Sequence, residues 1–287
     1  MQTIASDQPF ALAASVATIG VFDGVHRGHR QLLARLREAA GRHGVPSVVV
    51  TFDPHPRAVL APQAAPALLG SLQDRLALLR ASGDVDVVLV LRFDAVRARQ
   101  SADDFVDTVL LQQLRVRQLV LGADFRFGHG RSGSVAALAE HGRRQGFGVC
   151  GVTLLADGSA DAGTHCSSTL VRSRLAAGDV GSAAALLGRP HCVTGWLRPG
   201  AGAGRSADMA VAGELCVPPA GLYAGHLSEA APGASAPWQP VALQVHARDA
   251  SGRQRIAVYG HGSLARHAHR RVALHFAGPA ASLQQAA

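Results

Sequence analysis

The sequence predicts an α/β fold, a doubly wound parallel sheet followed by a small antiparallel β-barrel-like domain. Three observations lead there. From residue 16 to about residue 155, short apolar runs alternate with amphipathic stretches of helical period, the pattern of a parallel sheet with crossover helices. The first run feeds a turn rich in glycine and histidine, residues 20–29, which opens the first amphipathic stretch. After Arg189-Pro190 the texture changes to glycine, proline and short alternating runs, which suit antiparallel strands.

Taken in order, residues 16–22 read as a buried strand. Residues 29–43 read as a helix with Leu32, Leu33 and Leu36 on one face, and 45–52 as a second strand. Residues 71–82 look helical, with Leu72, Leu76 and Leu79 inward, and 85–93 form a third strand. Residues 101–114 form a helix capped by Ser101, with Asp103 and Asp104 in its first turn, where the helix dipole favours acids. A strand at 117–125, a helix at 134–145 and a strand at 147–155 complete the α/β part. Residues 167–187 read as two short helices parted by Gly178 and Asp179. The later runs, at 191–197, 215–227, 241–246, 255–259 and 272–276, supply the β-domain. Residues 199–204 and 230–240 read as loops, and the tail from Ala280 as frayed. The division falls at domains of 1–188 and 189–287.

The chain has 287 residues, 48% of them apolar and 17% charged, which is enough for two cores and too apolar for a disordered chain. The longest aliphatic run covers residues 85–91, far short of the roughly 20 apolar residues a spanning helix needs. No basic residue precedes Arg27, which argues against a secretory leader. Net charge is +8 and the isoelectric point near 10.7, so anionic partners are expected. All 28 basic residues are Arg, and Asn is absent, a bias that a GC-rich genome would also produce. Fixed cationic roles therefore fall to Arg, to protonated His or to a helix N-terminus. The Arg residues are scattered rather than massed, which favours phosphorylated small molecules over nucleic acid. Cys150, Cys166, Cys192 and Cys216 lack the short spacing of a zinc or redox pair and read as reduced thiols of a cytoplasmic protein.

The turn Gly20-Val21-Phe22-Asp23-Gly24-Val25-His26-Arg27-Gly28-His29 carries the first chemistry. Gly28 lets a phosphate approach the backbone. His26 and His29 can face the N-terminus of the helix that follows, where free N–H groups favour an anion. Two imidazoles there can hydrogen-bond a phosphoryl group as its charge builds, so attack on an α-phosphate needs positioning and charge stabilisation but no protein nucleophile.

His26-x-Gly-His29 resembles the Rossmann-like HxGH nucleotidyltransferase superfamily. More narrowly, the chain resembles the adenylyltransferase module of prokaryotic bifunctional riboflavin kinase/FAD synthetases. Thr51-Phe52-Asp53-Pro54-His55-Pro56 looks like that family's second motif, Gly122-Ala123-Asp124-Phe125-Arg126-Phe127-Gly128 its third, and Ser167-Ser168-Thr169-Leu170-Val171-Arg172 its fourth. They stand in the right order over residues 15–195. The resemblance implies an FMN adenylyltransferase that joins ATP, brought with Mg²⁺, to FMN and releases FAD and pyrophosphate. Gly20, Phe22, Asp23, Gly24, His26, Gly28 and His29 would bind the nucleotide with Ser167, Ser168, Thr169 and Arg172. His26, His29 and Arg172 would be catalytic, and Arg172 would neutralise the departing pyrophosphate. Phe52, Asp53, Pro54, His55 and Pro56 would hold the flavin with Asp124, Phe125 and Phe127. If the third motif is extended, Phe125 and Phe127 point to opposite sides, one to the core and one to a ring. No resident metal site is legible, and neither is the oligomeric state.

The resemblance breaks in the C-terminal third. Where the family's kinase barrel carries Pro-Thr-Ala-Asn, this chain reads Ser206-Ala207-Asp208-Met209-Ala210-Val211. No Thr follows Thr194. Glu229 is the last Glu, and Asp249, the only acid after it, falls in a sequence typical of a hairpin turn. A degenerate riboflavin kinase domain is therefore expected. Two alternatives stay open: a diverged nucleotidyltransferase acting on another phosphorylated acceptor, and a non-catalytic flavin- or nucleotide-binding protein.

Overall fold

The computed structural model describes residues 1–5, 10–153, 165–200, 205–229, 232–233, 237–250, 252–260 and 264–279. In chain order its strands are β1 (Gln2–Ala5), β2 (Ser15–Ile19), β3 (Ser47–Asp53), β4 (Val87–Arg92), β5 (Val116–Gly122), β6 (Arg126–Phe127), β7 (Gly133–Ser134) and β8 (Gly148–Val152). They continue with β9 (His191–Pro199), β10 (Ser206–Val211), β11 (Gly221–Ser228), β12 (Gln239–Val245), β13 (Gln254–Tyr259) and β14 (Arg271–Pro279). The helices are α1 (Arg27–His43), α2 (Pro56–Leu60), α3 (Leu72–Ala81), α4 (Ala95–Arg99), α5 (Ala102–Phe105), α6 (Val135–Gln145), α7 (Ser168–Ala176) and α8 (Val180–Leu187). Two compact units emerge, and neither is one continuous stretch of chain.

The first unit comprises Met1–Phe22, Gly28–Pro66 and Ser82–Ala156. Its six-stranded sheet runs β1-β4-β3-β2-β5-β8, and every pairing is parallel. All five residues of the central strand β2 are buried, as expected of a strand covered on both faces. The winding reverses between β2 and β5, which makes their carboxyl ends the switch point where ligands of such sheets bind. Leu89, Leu91, Leu110, Leu119 and Leu121 lead the core. Ser101 caps α5 by accepting the Asp104 N–H, and Ser134 caps α6 through Ala137 N. The helix predicted over 101–114 begins as α5 and widens into π-helical turns over Val106–Gln113.

The second unit comprises Asp23–Arg27, Ala67–Ala81 and Asp157–Ala287. Its six strands close into an antiparallel barrel in the order β10-β13-β12-β11-β14-β9. Met209, Leu243, Ile256, Leu274 and Phe276 fill the core together with Val171 and Leu175 of α7 and Leu187 of α8. Ser167 caps α7 and Asp179 caps α8, so the two predicted helices part where expected. Helix α3 is tied to the barrel by its buried Asp74, which accepts from Thr194 Oγ1 at 2.9 Å and from Arg271 Nη2 at 3.2 Å. Leu68 of the strap before α3 exchanges backbone bonds of 2.7 Å with Glu214 O and Cys216 N.

The structure corrects several boundaries. Strand β1 was not foreseen, because only Ile4 of its four residues is buried. Strand β10 was not foreseen either, although Ala207, Met209 and Val211 alternate inward with the period of a strand. The run at 215–227 is a strand only from Gly221. Pro218 and Pro219 lack the N–H a ladder needs, and Leu215 makes an isolated bridge to Leu68. Gln239 and Pro240 begin β12 rather than end a loop. Asp249 does sit in the β12–β13 turn, accepting the Gly252 N–H through its carbonyl and the Arg253 N–H through its side chain. The end of the strand predicted to residue 155, residues 201–204 and the tail from Ala280 lie outside the described residues. Among the described residues no helix is long and apolar enough to cross a membrane.

Candidate active site

Strand β2 stops at Ile19, where the backbone leaves the extended region and Phe22 takes a left-handed φ of 55°. In the first unit the turn is tied back to β3 by the Thr51 hydroxyl, which donates to Val21 O at 3.0 Å. The Phe22 ring is buried against His29, with centroids 4.9 Å apart, and also lies beside Gly20. Gly28 and His29 fall in the first turn of α1, where backbone N–H groups have no helical acceptor.

In the second unit, Asp23–Val25 form a 3₁₀ turn that is wholly buried. The Asp23 carboxylate accepts from Leu69 N at 3.0 Å and from Arg172 Nη2 at 2.5 Å. Arg172 also donates from Nε to Ala67 O at 2.6 Å, and Ser168 donates its hydroxyl to Asp23 O at 2.9 Å. Gly24 has a φ of 74°, and a Cβ there would meet Leu69 Cδ1 at 2.7 Å, so the turn needs glycine for both conformation and space. Arg189 donates to Gly24 O at 2.7 Å and to Leu187 O at 3.3 Å.

His26 follows that turn and is buried. Burial, with the Arg189 and Arg172 cations nearby, lowers its pKa to about 4, so its ring is neutral at pH 7. Its Nδ1 lies 3.6 Å from Cys166 Sγ. Of the predicted residues, Asp23, Ser168 and Arg172 thus share one hydrogen-bonded cluster, while Gly24 is bonded to Arg189 and His26 lies against Cys166, two residues outside the predicted set. Their signal in the sequence was position alone: Cys166 precedes the hydroxyl run, and Arg189 sits in the junction. Ser167 acts as a cap, and Thr169 is exposed.

The remaining predicted residues line the carboxyl end of the first unit's sheet. Phe52 meets Phe93 edge-on at 5.8 Å. Asp53 leads through a cis peptide bond into Pro54. His55 caps α2 by accepting the Arg57 N–H at Nδ1, and Pro56 is the first helical residue. Beyond β5, Asp124 is exposed in a turn. Because that segment turns, Phe125 and Phe127 do not diverge as an extended chain would make them. Their rings stack at 5.7 Å, both partly buried, and Phe105 lies 5.7 Å from Phe127. A cavity of about 390 Å³ elsewhere in this unit, beside β8, is lined by Arg35, Arg42, Gln118 and Cys150 and includes none of the predicted residues.

A parallel sheet with a glycine–histidine turn at its switch strand, in a chain that also carries a closed barrel, defines an α/β protein of the kind whose ligands sit at the carboxyl ends of the sheet strands. The family profile of FAD synthetase matches residues 9–169, and the chain belongs to that family. Bifunctional riboflavin kinase/FMN adenylyltransferase from Escherichia coli K12 is 40% identical over 191 residues, which are 67% of this chain and 59% of that protein. The protein of the same name from Pseudomonas fluorescens is 47% identical over 186 residues, 63% of this chain and 56% of that protein. The chain thus spans somewhat under two-thirds of the length of these relatives. The crystal structure of a Macrolide-efflux protein from Streptococcus pneumoniae superposes with a TM-score of 0.81 over 97% of this chain and 91% of that one, at 23% identity, a likeness of fold alone.

Proposed function

We propose that this protein is an FMN adenylyltransferase. An FMN phosphate oxygen attacks the α-phosphorus of ATP, a new P–O–P bond forms, the α–β bond breaks, and FAD and pyrophosphate result. The observation that supports this most is the family match over residues 9–169, which takes in the His26-x-Gly-His29 turn and ends in the Ser167–Thr169 hydroxyl run. His26 and His29 hydrogen-bond the transferring phosphoryl group, and the N–H groups opening α1 add their dipoles. Ser168, Thr169 and the donors of Arg172 not given to Asp23 or Ala67 hold the leaving pyrophosphate. Phe52, Asp53, Pro54, His55 and Pro56, with Asp124, Phe125 and Phe127, hold the flavin.

Mg²⁺ enters with ATP as the substrate complex. Such an ion is usually held by substrate phosphates, water and one or two carboxylates. Residues 1–188 carry the transfer chemistry, and 189–287 form a barrel that has lost riboflavin kinase activity. Strand β10 supports that loss: it occupies the kinase signature's place and gives its Asp208 carboxylate to Arg255 at 3.0 Å. Glu229 is likewise engaged, by His267 at 2.6 Å and Arg270 at 2.9 Å. The protein works in the cytoplasm, where its thiols stay reduced.

The test is chromatographic. Purified protein with Mg–ATP should turn FMN into FAD and pyrophosphate and leave riboflavin unchanged. His26→Ala and His29→Ala should each lower turnover about 10²- to 10³-fold. Near wild-type turnover in both variants, or no FAD from FMN, would overturn the assignment. FMN or FAD made from riboflavin would overturn the loss of the kinase.

A further inference from the structure

Cys166 lies one residue before the hydroxyl run, and among the described residues its sulfur has two polar neighbours. Sγ is 3.4 Å from the Leu186 carbonyl oxygen and 3.6 Å from His26 Nδ1. Both side chains are buried, Cys166 at 3% exposure and His26 at 6%.

The Leu186 carbonyl stands in the last turn of α8. The amide four residues on would ordinarily bond to it, but that residue is Pro190, which has no N–H. The Gly188 and Arg189 amides both turn to Ala184 O instead. A carbonyl oxygen brings no proton, so the thiol must be the donor in its contact with Leu186. Cysteine has a single S–H proton and cannot also donate it to the imidazole. In the remaining contact Nδ1 must therefore donate its N–H to sulfur. The opposite arrangement, S–H to Nδ1, would leave a buried carbonyl without its donor.

We infer that Cys166 is a positioning residue that holds His26 in its Nδ1–H tautomer and so makes Nε2 the nitrogen at which the ring accepts a proton. The consequence for turnover rests on the adenylyltransferase reading. When the triphosphate brings negative charge to the ring, His26 takes one proton from solvent at Nε2, because Nδ1 already carries its own. It then donates that proton as a hydrogen bond to a phosphoryl oxygen and returns it to solvent after pyrophosphate leaves. The burial that keeps the free ring neutral is consistent with this cycle.

Long-range ¹H–¹⁵N NMR of uniformly ¹⁵N-labelled, ligand-free full-length protein at pH 7 tests the inference, with His26 assigned by the signal lost in His26→Gln. The wild type should show a protonated Nδ1 and an unprotonated Nε2. Cys166→Ala should populate the Nε2–H form and lower turnover about tenfold, the size of one lost hydrogen bond, with KM unchanged. Cys166→Ser keeps one donor and an acceptor and should restore the wild-type tautomer. A protonated Nε2 in the wild type, or a tautomer unmoved by Cys166→Ala, would overturn the role of Cys166. Should Cys166→Ala fail to fold, the wild-type spectrum still decides which nitrogen holds the proton. A wild type with the expected tautomer that makes no FAD would overturn the functional reading and leave the positioning intact.

Discussion

Arg172 Nη2 lies 2.5 Å from Asp23 Oδ2, across 149 positions of sequence, with the Asp23 side chain 4% exposed and that of Arg172 17%. Each partner also binds the strap before α3: Arg172 through Ala67 O, and Asp23 through Leu69 N. The ion pair thus ties the 3₁₀ turn, the strap and α7 together immediately before His26.

Breaking a buried pair leaves a desolvated charge without its partner, which typically costs about 3–5 kcal/mol. Asp23→Leu and Arg172→Met should each lose stability of that order. The double variant should lose less than the sum, since no lone charge remains. Urea midpoints of the four proteins measure this, and strict additivity would show that the pair is not coupled.

Three buried histidines make stability depend on pH. Burial is the main cause that lowers the pKa values of His26, His191 and His275 to about 4, against 6.5 for an unperturbed ring. Between pH 6.5 and 4 the unfolded chain binds more protons, so stability falls as pH falls through that window. Each ring forfeits about 3 kcal/mol across it and contributes no slope above pH 7. His191→Gln should flatten the profile by about one ring's share. Urea midpoints unchanged between pH 6.5 and 4.5 would contradict the arrangement.

Gly24→Ala should be damaging. Its Cβ would meet Leu69 at 2.7 Å and Leu187 at 3.3 Å, at a φ of 74° that L residues rarely adopt. A loss of about 1–3 kcal/mol is expected, together with reduced turnover because the turn leads into His26. Thermal unfolding and FAD formation measured on one preparation would show whether the two effects travel together.

Ser167 caps α7 by accepting the Leu170 N–H at 3.2 Å. Ser167→Ala should cost about 1 kcal/mol, and Ser167→Gly only a few tenths. Because α7 carries Ser168 and Arg172, the alanine variant should lose more turnover than the glycine variant. Equal losses would place the importance of Ser167 in something other than capping.

The sheet strands were legible because burial on both faces leaves uninterrupted apolar runs such as 48–50 and 87–91, and the helices because Ser101, Ser134, Ser167 and Asp179 announce their starts. Strand β10 was hidden by its small residues: Ala207 is a faint partner to Met209 and Val211 on the inward face, and the outward Ala210 blurs the alternation. The histidine turn was readable as a motif, but its support was not. Nothing in the linear sequence shows that Asp23 reaches Leu69 and Arg172, or that Cys166 reaches His26, since these contacts span 46 to 149 positions. The stacking of Phe125 on Phe127 depended on a turn whose conformation the residue types alone did not fix.

The strap that holds Asp23 is itself held by the barrel, through Leu68 to Glu214 and Cys216, and α3 is anchored by Asp74 to Thr194 and Arg271. A lineage that no longer used the barrel's own chemistry could not simply discard the gene segment encoding it. On the proposed loss of the kinase, drift there would be free to erase its signature but not the residues that brace the Asp23–Val25 turn. The barrel would then persist as inherited scaffolding, and sequence change should gather at its former reactive positions while the bracing contacts stay fixed.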